Sequence, residues 1–393
     1  MKGKKIRLFF EAIRDLFWPL SPGWLFQRSH ETPVFAFLVH PRDITDVYRK
    51  YPFARVLSPR VLEWLLYHYW PVVLSEVEGL KSARTGEPVR GWILSIPLTA
   101  EQMVANREKT IRLIRRSIKL AYCRGANVIG LGALNASMTF RGRDVKDVVE
   151  RLDMGITSGV GYTAFNIAEI ALLLLGRFRL EPNRTVFGVV GAAGAIGGAT
   201  VRYLAAKGIR NFILIDLDRK HARVSELVKE IRKIAPGGEC HVSSRLTELK
   251  RCRFIITATN APEALIKSEH ISPGTIVLDD AQPSDIDPEI ILKREDVLVI
   301  EGGVIEVAGI DPHFDFGLKH KTDVFSCLAE VMVLAAHHRS RERSFDYSGS
   351  KEMEEIAKQG AELGFGRAEF QNFKRVYAED DLGRFYDLYL KKS

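Results

Sequence analysis

The sequence of 393 residues predicts a two-domain α/β protein that ends in helices. Short apolar runs alternate with amphipathic stretches over residues 34–176 and again over 184–303, which is typical of two sheets covered by helices. The second series opens with a glycine-rich turn between a strand and a helix, where α/β domains bind nucleotides. The predicted organisation is a basic amphipathic segment (1–29), an α/β substrate domain (30–180), a Rossmann-type dinucleotide-binding domain (181–305) and a C-terminal helical segment (306–393).

Composition restricts the class of protein. Hydrophobic residues make up 46% of the chain and charged residues 27%, which is typical of a soluble globular protein. The net charge of +8 favours acidic partners, and no zinc-finger or clear helix-turn-helix pattern points to nucleic acid. Four cysteines without a CxxC pair argue against a disulfide scaffold or a thiolate metal site, so we expect a cytoplasmic protein without a metal.

The first 29 residues combine an early cluster of lysines with an apolar stripe at helical spacing. Charged residues interrupt the apolar part, so a signal peptide is not predicted. Two interpretations stay open: a helix that lies on an anionic membrane surface, or a surface helix that packs on its own protein. The apolar stripe consists of Ile6, Phe9, Phe10, Ile13, Leu16 and Phe17.

In the substrate domain, apolar runs at 34–40, 90–99 and 126–134 predict strands. The amphipathic stretch 100–125 predicts one long helix, and the apolar stretch 161–176 predicts a buried one. In the second domain the predicted strands begin near residue 186 and continue at 211–217, 253–259, 275–281 and 297–303.

The nucleotide site is predicted from glycine spacing. Gly191, Gly194 and Gly197 separate a β-branched strand from a helix, so that a pyrophosphate can approach the backbone at the helix N-terminus. Asp216 ends the next strand, 19 residues after Gly197, where an acid binds the ribose of NADH and repels the 2′-phosphate of NADPH. Arg219 and Lys220 follow and could partly reverse that preference. The remaining predicted cofactor contacts are Ala192, Ala195, Ile196 and Thr259.

Beyond the glycine loop, four segments resemble the cyanobacterial-type long-chain acyl-[acyl-carrier-protein] reductases over roughly residues 34–365. "DVFSCLAEVMVL" is similar to the helix that carries their catalytic cysteine, which here is Cys327. The resemblance implies NADPH as cofactor and an acyl thioester, carried by acyl carrier protein or coenzyme A, as substrate. The other similar segments are "GLGALNAS" (130–137), "TSGVGYTAF" (157–165) and "IEGGVIE" (300–306).

The chemistry fits a cysteine nucleophile independently of the resemblance. A thioester is reduced to an aldehyde more easily when the acyl group first moves to an enzyme thiol. The attacking species is a thiolate, and a helix N-terminus is one place where a thiol pKa falls. Without the resemblance, Cys327 would more often be a buried core residue, which is how we interpret the other three cysteines.

For four other predicted active-site residues, the sequence does not separate a catalytic role from a structural one. Ser137, Ser158 and Tyr162 lie in segments that resemble the active-site face of the reductases, and Glu306 follows the last strand near the expected nicotinamide. A structural role is an equal alternative for each. Val160 stands where the reductases typically have asparagine, and Asp216 departs from their NADPH-type pattern.

Two alternative functions remain. The first is an NAD(P) oxidoreductase like shikimate or quinate dehydrogenase, although residues 90–140 contain no IPHK-like segment with the lysine that these enzymes use. The second is a non-enzymatic NAD-binding protein on a membrane surface, in which Cys327 is a core residue.

If residues 1–28 bind anionic membranes, full-length protein should co-sediment with anionic vesicles and a 29–393 variant should not. Each basic residue near such a surface contributes on the order of 1 kcal/mol, and salt weakens this attraction. Equal binding of both proteins, or binding of neither, contradicts the membrane interpretation. Loss of solubility on truncation, without vesicle binding by the full chain, supports the packed helix.

Overall fold

The computed structural model describes residues 33–261, 263–344 and 349–391, so the amphipathic segment 1–29 lies outside the described residues. The described chain forms an α/β protein with two six-stranded sheets and one three-stranded sheet, which confirms the predicted fold class. The strands are β1 (Val34–Val39), β2 (Val72–Val77), β3 (Arg90–Ser95), β4 (Val128–Leu131), β5 (Gly155–Thr157), β6 (Val186–Val190), β7 (Asn211–Ile215), β8 (Cys240–Ser243), β9 (Phe254–Thr257), β10 (Thr275–Asp279), β11 (Val297–Glu301), β12 (Val304–Val307), β13 (Asp323–Phe325), β14 (Arg343–Ser344) and β15 (Phe365–Arg367).

Helices cover both large sheets. Short 3₁₀ turns lie at Pro52–Val56, Arg143–Val145, Asp218–Lys220, Leu246–Arg251 and Ser268–His270, and a π-helical turn lies at Tyr386–Leu390. The α-helices are α1 (Ile44–Lys50), α2 (Pro59–His68), α3 (Ala100–Ala105), α4 (Arg107–Cys123), α5 (Leu134–Met138), α6 (Lys146–Arg151), α7 (Val160–Arg177), α8 (Ala195–Ala206), α9 (His221–Ile234), α10 (Pro288–Lys293), α11 (Ser326–Ala336), α12 (Ser350–Glu362) and α13 (Glu379–Phe385).

The substrate-domain sheet has the strand order β14-β5-β4-β1-β3-β2. All pairs are parallel except β2 with β3, so the carboxyl ends of most strands meet at one edge. The helix predicted over 100–125 is two helices, because Asn106 interrupts it. The Asn106 backbone N–H bonds the last turn of α3, and its side chain accepts the Lys109 N–H at 3.0 Å, which caps α4.

The second sheet has the order β11-β10-β9-β6-β7-β8 and is parallel throughout. This order is that of a doubly wound dinucleotide-binding domain, with the reversal of direction between β6 and β9. Ligands of such domains bind outside the carboxyl ends of the strands at that reversal. The core between the strands and helices includes stacked Phe187 and Phe254, with ring centroids 4.7 Å apart.

The C-terminal segment 306–393 is not a separate helical unit, which differs from the predicted organisation. Strand β14 pairs with β5 at the edge of the substrate-domain sheet, and α11 packs on β1 and β4. Strands β12, β13 and β15 form the third sheet, and α13 buries Leu382 and Phe385 in the core of the dinucleotide-binding domain. Both domains are therefore completed only by residues after 320. Strand β14 adds an edge strand to the first sheet, and α11 and α13 pack on the cores of the two domains.

Helix α7 connects the two domains. By length and composition it could cross a membrane, but 67% of it is buried inside the protein. It packs against α8, α11 and α12, so its apolar surface is covered by protein on several sides. An apolar helix of this kind is the core helix that the sequence predicts for residues 161–176.

Glu330 of α11 joins that helix to the start of α7. Its carboxylate is fully buried and accepts the Thr157 hydroxyl and, at 2.7 Å, the Tyr162 backbone N–H. Burial raises the Glu330 pKa, and the hydrogen bonds oppose that rise. No cation pairs with Glu330 among the described residues, so these hydrogen bonds are what compensates the buried carboxyl group.

We expect Glu330→Ala to lower the free energy of unfolding by about 3 kcal/mol, because it leaves buried donors without an acceptor. Urea unfolding followed by circular dichroism measures this change. Glu362→Ala, at an exposed position on α12, is the matched control and should stay within about 0.5 kcal/mol of wild type. Equal stability of the two variants would contradict a structural role for Glu330.

Candidate active site between the two domains

A cleft of about 1560 Å³ lies where the carboxyl ends of the two large sheets face each other. The glycine loop after β6 lines one part of it, and residues after β1 and β4 and the start of α11 line the other. The volume exceeds the few hundred to 1,000 Å³ that one small ligand needs. The cleft can therefore hold a dinucleotide together with a second ligand.

The glycine loop has the geometry that a bound pyrophosphate requires. Gly191 has φ +84°, and a Cβ there would lie 2.6 Å from the Ala258 carbonyl oxygen. A Cβ on Gly194 or Gly197 would lie 2.9 or 2.5 Å from the Gly191 carbonyl oxygen. Side chains are thus excluded at all three positions, and α8 begins at the end of the loop without a side-chain cap. These features fit a dinucleotide phosphate at the helix N-terminus.

Asp216 lies at the end of β7 beside this loop. Its Oδ2 accepts the Ala193 N–H and its Oδ1 accepts the Leu217 N–H, both at 2.9 Å. Lys220 Nζ lies 3.2 Å from Oδ1. The carboxylate is therefore held rigidly in the cleft at the position where the ribose of the cofactor binds.

The other predicted cofactor residues also line the nucleotide end of the cleft, apart from Gly197, which lies beneath the loop. Thr259 follows β9 and donates its hydroxyl to Asp285 at 2.5 Å. Besides Gly191, Gly194 and Asp216, the predicted cofactor contacts that line the cleft are Ala192, Ala195, Ile196 and Thr259.

Cys327 is the second residue of α11 and lines the cleft. It can lie there only because residue 159 is glycine: a Cβ on Gly159, which has φ +73°, would be 2.3 Å from the Cys327 Cβ. The backbone N–H groups of Ala133 and Leu328 point at the sulfur. Ala133 has φ +48°, an uncommon conformation for alanine, directly after the carboxyl end of β4.

The pKa of the Cys327 thiol is raised to about 12, not lowered. Burial is the largest cause, and the nearby charge of Asp280 adds to it. The two backbone N–H groups and the helix N-terminus favour the thiolate, as the sequence predicts, but burial outweighs them. The free enzyme therefore holds a protonated thiol at neutral pH.

Two predicted serines line the same cleft as this thiol. Ser158 is buried and lines the cleft, and its hydroxyl makes no hydrogen bond to any residue that the structure describes. Ser137 also lines the cleft and donates its hydroxyl to the Leu134 carbonyl at 3.0 Å. Ser158 thus offers an unused polar group to a ligand, whereas Ser137 is partly engaged in α5.

The structure places Tyr162 and Glu306 away from the cleft, which corrects both predictions. The Tyr162 ring lies on the other side of α7, where a Cβ on Gly360 would be 2.6 Å from its hydroxyl oxygen. Burial raises its pKa. Glu306 lies in β12 with its side chain exposed, opposite Asp323 in the small sheet. The direction in which α7 and β12 face cannot be read from their local sequence.

Asp280 and His40 are among the polar residues of the cleft that were not predicted. Asp280 follows β10 and lies beside Gly303, and burial raises its pKa well above the ordinary value. His40 follows β1, and its ring nitrogens bond the Pro41 carbonyl and the Leu134 N–H. Burial lowers the His40 pKa, so the ring is neutral. Their position directly after parallel strands was the available signal.

The substrate-domain part of the cleft is mainly apolar. Its walls come from α1, α2, β2 and α5 and combine aliphatic and aromatic side chains. Such walls suit an apolar ligand, and the basic side chains between them can bind a negatively charged group. The apolar lining residues include Val39, Tyr51, Leu66, Tyr69, Val72, Leu74, Val104, Leu131, Leu134 and Met138.

Comparison with known proteins places the dinucleotide-binding domain in a known class. Residues 178–301 match the shikimate / quinate 5-dehydrogenase family. Shikimate 5-dehydrogenase from Listeria monocytogenes, solved with shikimate and NAD, is 12% identical with a TM-score of 0.34. The match covers 84% of this chain and 98% of the Listeria chain. Quinate dehydrogenase from Corynebacterium glutamicum, solved with NAD, is 9% identical with a TM-score of 0.34, and the match covers 91% of this chain and 98% of that one.

Two relatives match a larger part of the chain by sequence. Aminotransferase PigE of Serratia sp. is 25% identical over 315 residues, which is 76% of this chain but only 36% of PigE. The long-chain acyl-[acyl-carrier-protein] reductase of Synechococcus elongatus is 24% identical over 288 residues, which is 67% of this chain and 77% of the reductase.

The fold, the glycine loop and the family match together define the class of the protein. It contains an NAD(P)-type dinucleotide-binding domain, and residues 178–301 of that domain are similar to the shikimate / quinate 5-dehydrogenase family. The cofactor is NAD(P)H, as the sequence predicts from Gly191, Gly194 and Gly197.

We expect NADH to be used at least as well as NADPH, because the Asp216 carboxylate repels a 2′-phosphate. Asp216→Ser should shift the ratio of kcat/KM toward NADPH by about tenfold, which corresponds to about 1.4 kcal/mol. Asp218→Ser, at an exposed position two residues later, is the matched control and should leave the ratio unchanged. A tenfold preference of the wild type for NADPH would show that Arg219 and Lys220 override Asp216.

Proposed function

We propose that the protein reduces a long-chain acyl thioester to a fatty aldehyde through an acyl intermediate on Cys327. The observation that carries this proposal is that Cys327 lines the same cleft as the glycine loop and the apolar walls of the substrate domain. A core cysteine would be enclosed by apolar side chains, whereas Cys327 keeps part of its surface in the cleft. The match to the acyl-[acyl-carrier-protein] reductase over 67% of the chain supports the same activity.

The lining of the cleft supports a long acyl chain as the substrate. The aliphatic and aromatic walls of the substrate domain line the same cleft as Cys327, so an acyl chain can lie against them with its thioester at the sulfur. Each buried CH₂ group contributes about 0.8 kcal/mol to binding. A cleft of this size and lining accommodates such a chain beside the dinucleotide.

The chain's residues support each step of the reaction. Cys327 Sγ attacks the thioester carbon and releases the carrier thiol. The N–H groups of Ala133 and Leu328 stabilise negative charge at the sulfur, and Ser158 can donate a hydrogen bond to the bound acyl group. NAD(P)H, held by the glycine loop and Asp216, would supply the hydride for reduction of the acyl group. Cleavage of the carbon–sulfur bond then restores Cys327 and releases the aldehyde.

The acyl donor is acyl carrier protein or acyl-CoA. Both present the thioester on a phosphopantetheine arm, so both bring a negatively charged phosphate to the cleft. Several basic side chains line its substrate-domain part, and the overall charge of +8 attracts an acidic carrier. These basic residues are Arg42, Arg49, Lys50, Arg141 and Arg143.

The family match favours a second candidate, oxidation of a small hydroxy acid such as shikimate or quinate. That match covers the dinucleotide-binding domain, residues 178–301, and not the substrate domain. The segment after β3 is Ile96–Thr99 and contains no lysine for proton transfer. The aliphatic and aromatic walls also offer an apolar surface that suits an acyl chain better than a polyhydroxylated acid. The cleft thus favours the acyl reductase.

We expect Cys327→Ala to lower aldehyde formation by a factor on the order of 10³ or more and to leave NADH binding unchanged, because the variant lacks the nucleophile. Gas chromatography of the aldehyde and fluorescence titration of NADH measure the two effects. Intact-protein mass spectrometry after incubation with acyl-[acyl-carrier-protein] and no reductant should show one acyl group on the wild type and none on the variant.

Cys123→Ala is the matched control, since Cys123 ends α4 outside the cleft lining, and it should behave as wild type. An alanine variant at position 327 that forms aldehyde at the wild-type rate would exclude the acyl-enzyme mechanism. Shikimate- or quinate-dependent reduction of NAD(P)⁺ by the wild type, without any acyl adduct, would support the second candidate.

A further inference from the structure

We propose that Asp280 is the general base of the reaction. It takes the proton from the Cys327 thiol and delivers it to the departing thiolate of the carrier. The inference rests on the proposed function, because it concerns the transfer of the acyl group to Cys327. It rests on four observations: the carboxyl group lines the same cleft as Cys327, Gly303 makes room for it, its neighbours leave it without other partners, and Gly303 is hydrogen-bonded to the residue before Cys327.

Gly303 allows the Asp280 carboxyl group to reach the cleft. Asp280 Oδ1 lies 2.0 Å from the position of a Cβ on residue 303, so any side chain there would displace it. The Gly303 carbonyl oxygen accepts the Ser326 N–H at 2.8 Å, and Ser326 directly precedes Cys327. The same residue thus borders the carboxyl group and holds the backbone that carries the thiol.

Asp280 differs from the two neighbouring buried aspartates. Asp279 accepts hydroxyl hydrogen bonds from Thr257 and Ser284, and Asp285 accepts one from Thr259, so both have structural roles. The Asp280 carboxyl group accepts no hydrogen bond and forms no ion pair within the described ranges 33–261, 263–344 and 349–391. A carboxyl group in a cleft without structural partners is available for a ligand or for a proton.

Charges around the pair determine how the proton is shared. Asp280 faces the carboxyl groups of Asp279 and Asp285, which raise its pKa in addition to burial. Cys327 faces Asp280 and, on its own helix, Glu330. A negative charge on Asp280 or on Cys327 thus favours the protonated form of the other group. The two groups therefore share one proton between them more readily than both become ionised.

The proton transfers balance over the cycle. In acyl transfer, the carbon–sulfur bond to Cys327 forms as its proton moves to the Asp280 carboxylate, the bond to the carrier sulfur breaks, and Asp280 protonates the carrier thiolate. In the second half, hydride from NAD(P)H reduces the acyl carbon and the carbon–sulfur bond to Cys327 breaks. Asp280, reprotonated from water, then returns a proton to the Cys327 thiolate.

The test measures acylation of Cys327 without reductant, so it does not depend on the cofactor. Palmitoyl-CoA is mixed with the protein between pH 5 and 9, and intact-protein mass spectrometry follows the adduct over time. In the wild type, the rate should rise with pH and then level off once Asp280 is ionised. In Asp280→Asn the rate at pH 7 should fall about 100-fold, as expected for a lost general base. It should also rise about tenfold per pH unit, because only the thiolate then reacts.

Glu289→Gln, which removes an exposed carboxylate from α10 of the same domain, should keep the wild-type rate and pH profile. NADH binding reports whether Asp280→Asn is folded. If that variant is not folded, Asp280→Glu is used in its place, and its acylation rate should still level off at high pH. An unchanged rate and profile in Asp280→Asn, or a tenfold rise per pH unit in Asp280→Glu, overturns the role of Asp280 and leaves the proposed function intact. Absence of an adduct on the wild type overturns both.

Discussion

The arrangement of the site depends on the close contact between the start of α11 and the start of α7. Gly159, with φ +73°, lies against Cys327 so tightly that a Cβ would be 2.6 Å from the Cys327 Cα. Glu330 fixes that contact from one side through Thr157 and the N-terminus of α7. From the other side, the Asn166 amide donates to the Gly302 and Val304 carbonyls and to the Ser326 hydroxyl.

This contact explains why residues far apart in the sequence form one site. Helix α11 belongs to the core beside β1 and β4, but Asn166 and the Gly303–Ser326 hydrogen bond also join it to the loop after β11. The thiol is therefore held by the substrate domain and positioned against the dinucleotide-binding domain at the same time. Buried hydrogen bonds of this kind fix a geometry more precisely than apolar packing, because they fail if either partner shifts.

Local sequence patterns predicted the parts of the site that depend on local geometry. The glycine loop could be read from the spacing of Gly191, Gly194 and Gly197, because each close contact of these residues lies within one turn and its neighbouring strand. For Asp280 the only local signal is its position after a parallel strand; the role proposed for it depends also on Gly303, which follows a different strand. Tyr162 was misassigned for the related reason that the rotation of α7 depends on packing against α11 and α12.

The protonated resting state of Cys327 follows from the same geometry. Burial removes the sulfur from water, and this effect exceeds the stabilisation of a thiolate by two N–H groups and a helix N-terminus. A thiol with a pKa of about 12 is a poor nucleophile toward oxidants and adventitious electrophiles at neutral pH. Reactivity then requires a proton acceptor within the cleft and an acyl group in position. Under the proposed function, selectivity for the acyl donor would arise from the arrangement of the site and not from an intrinsically reactive cysteine.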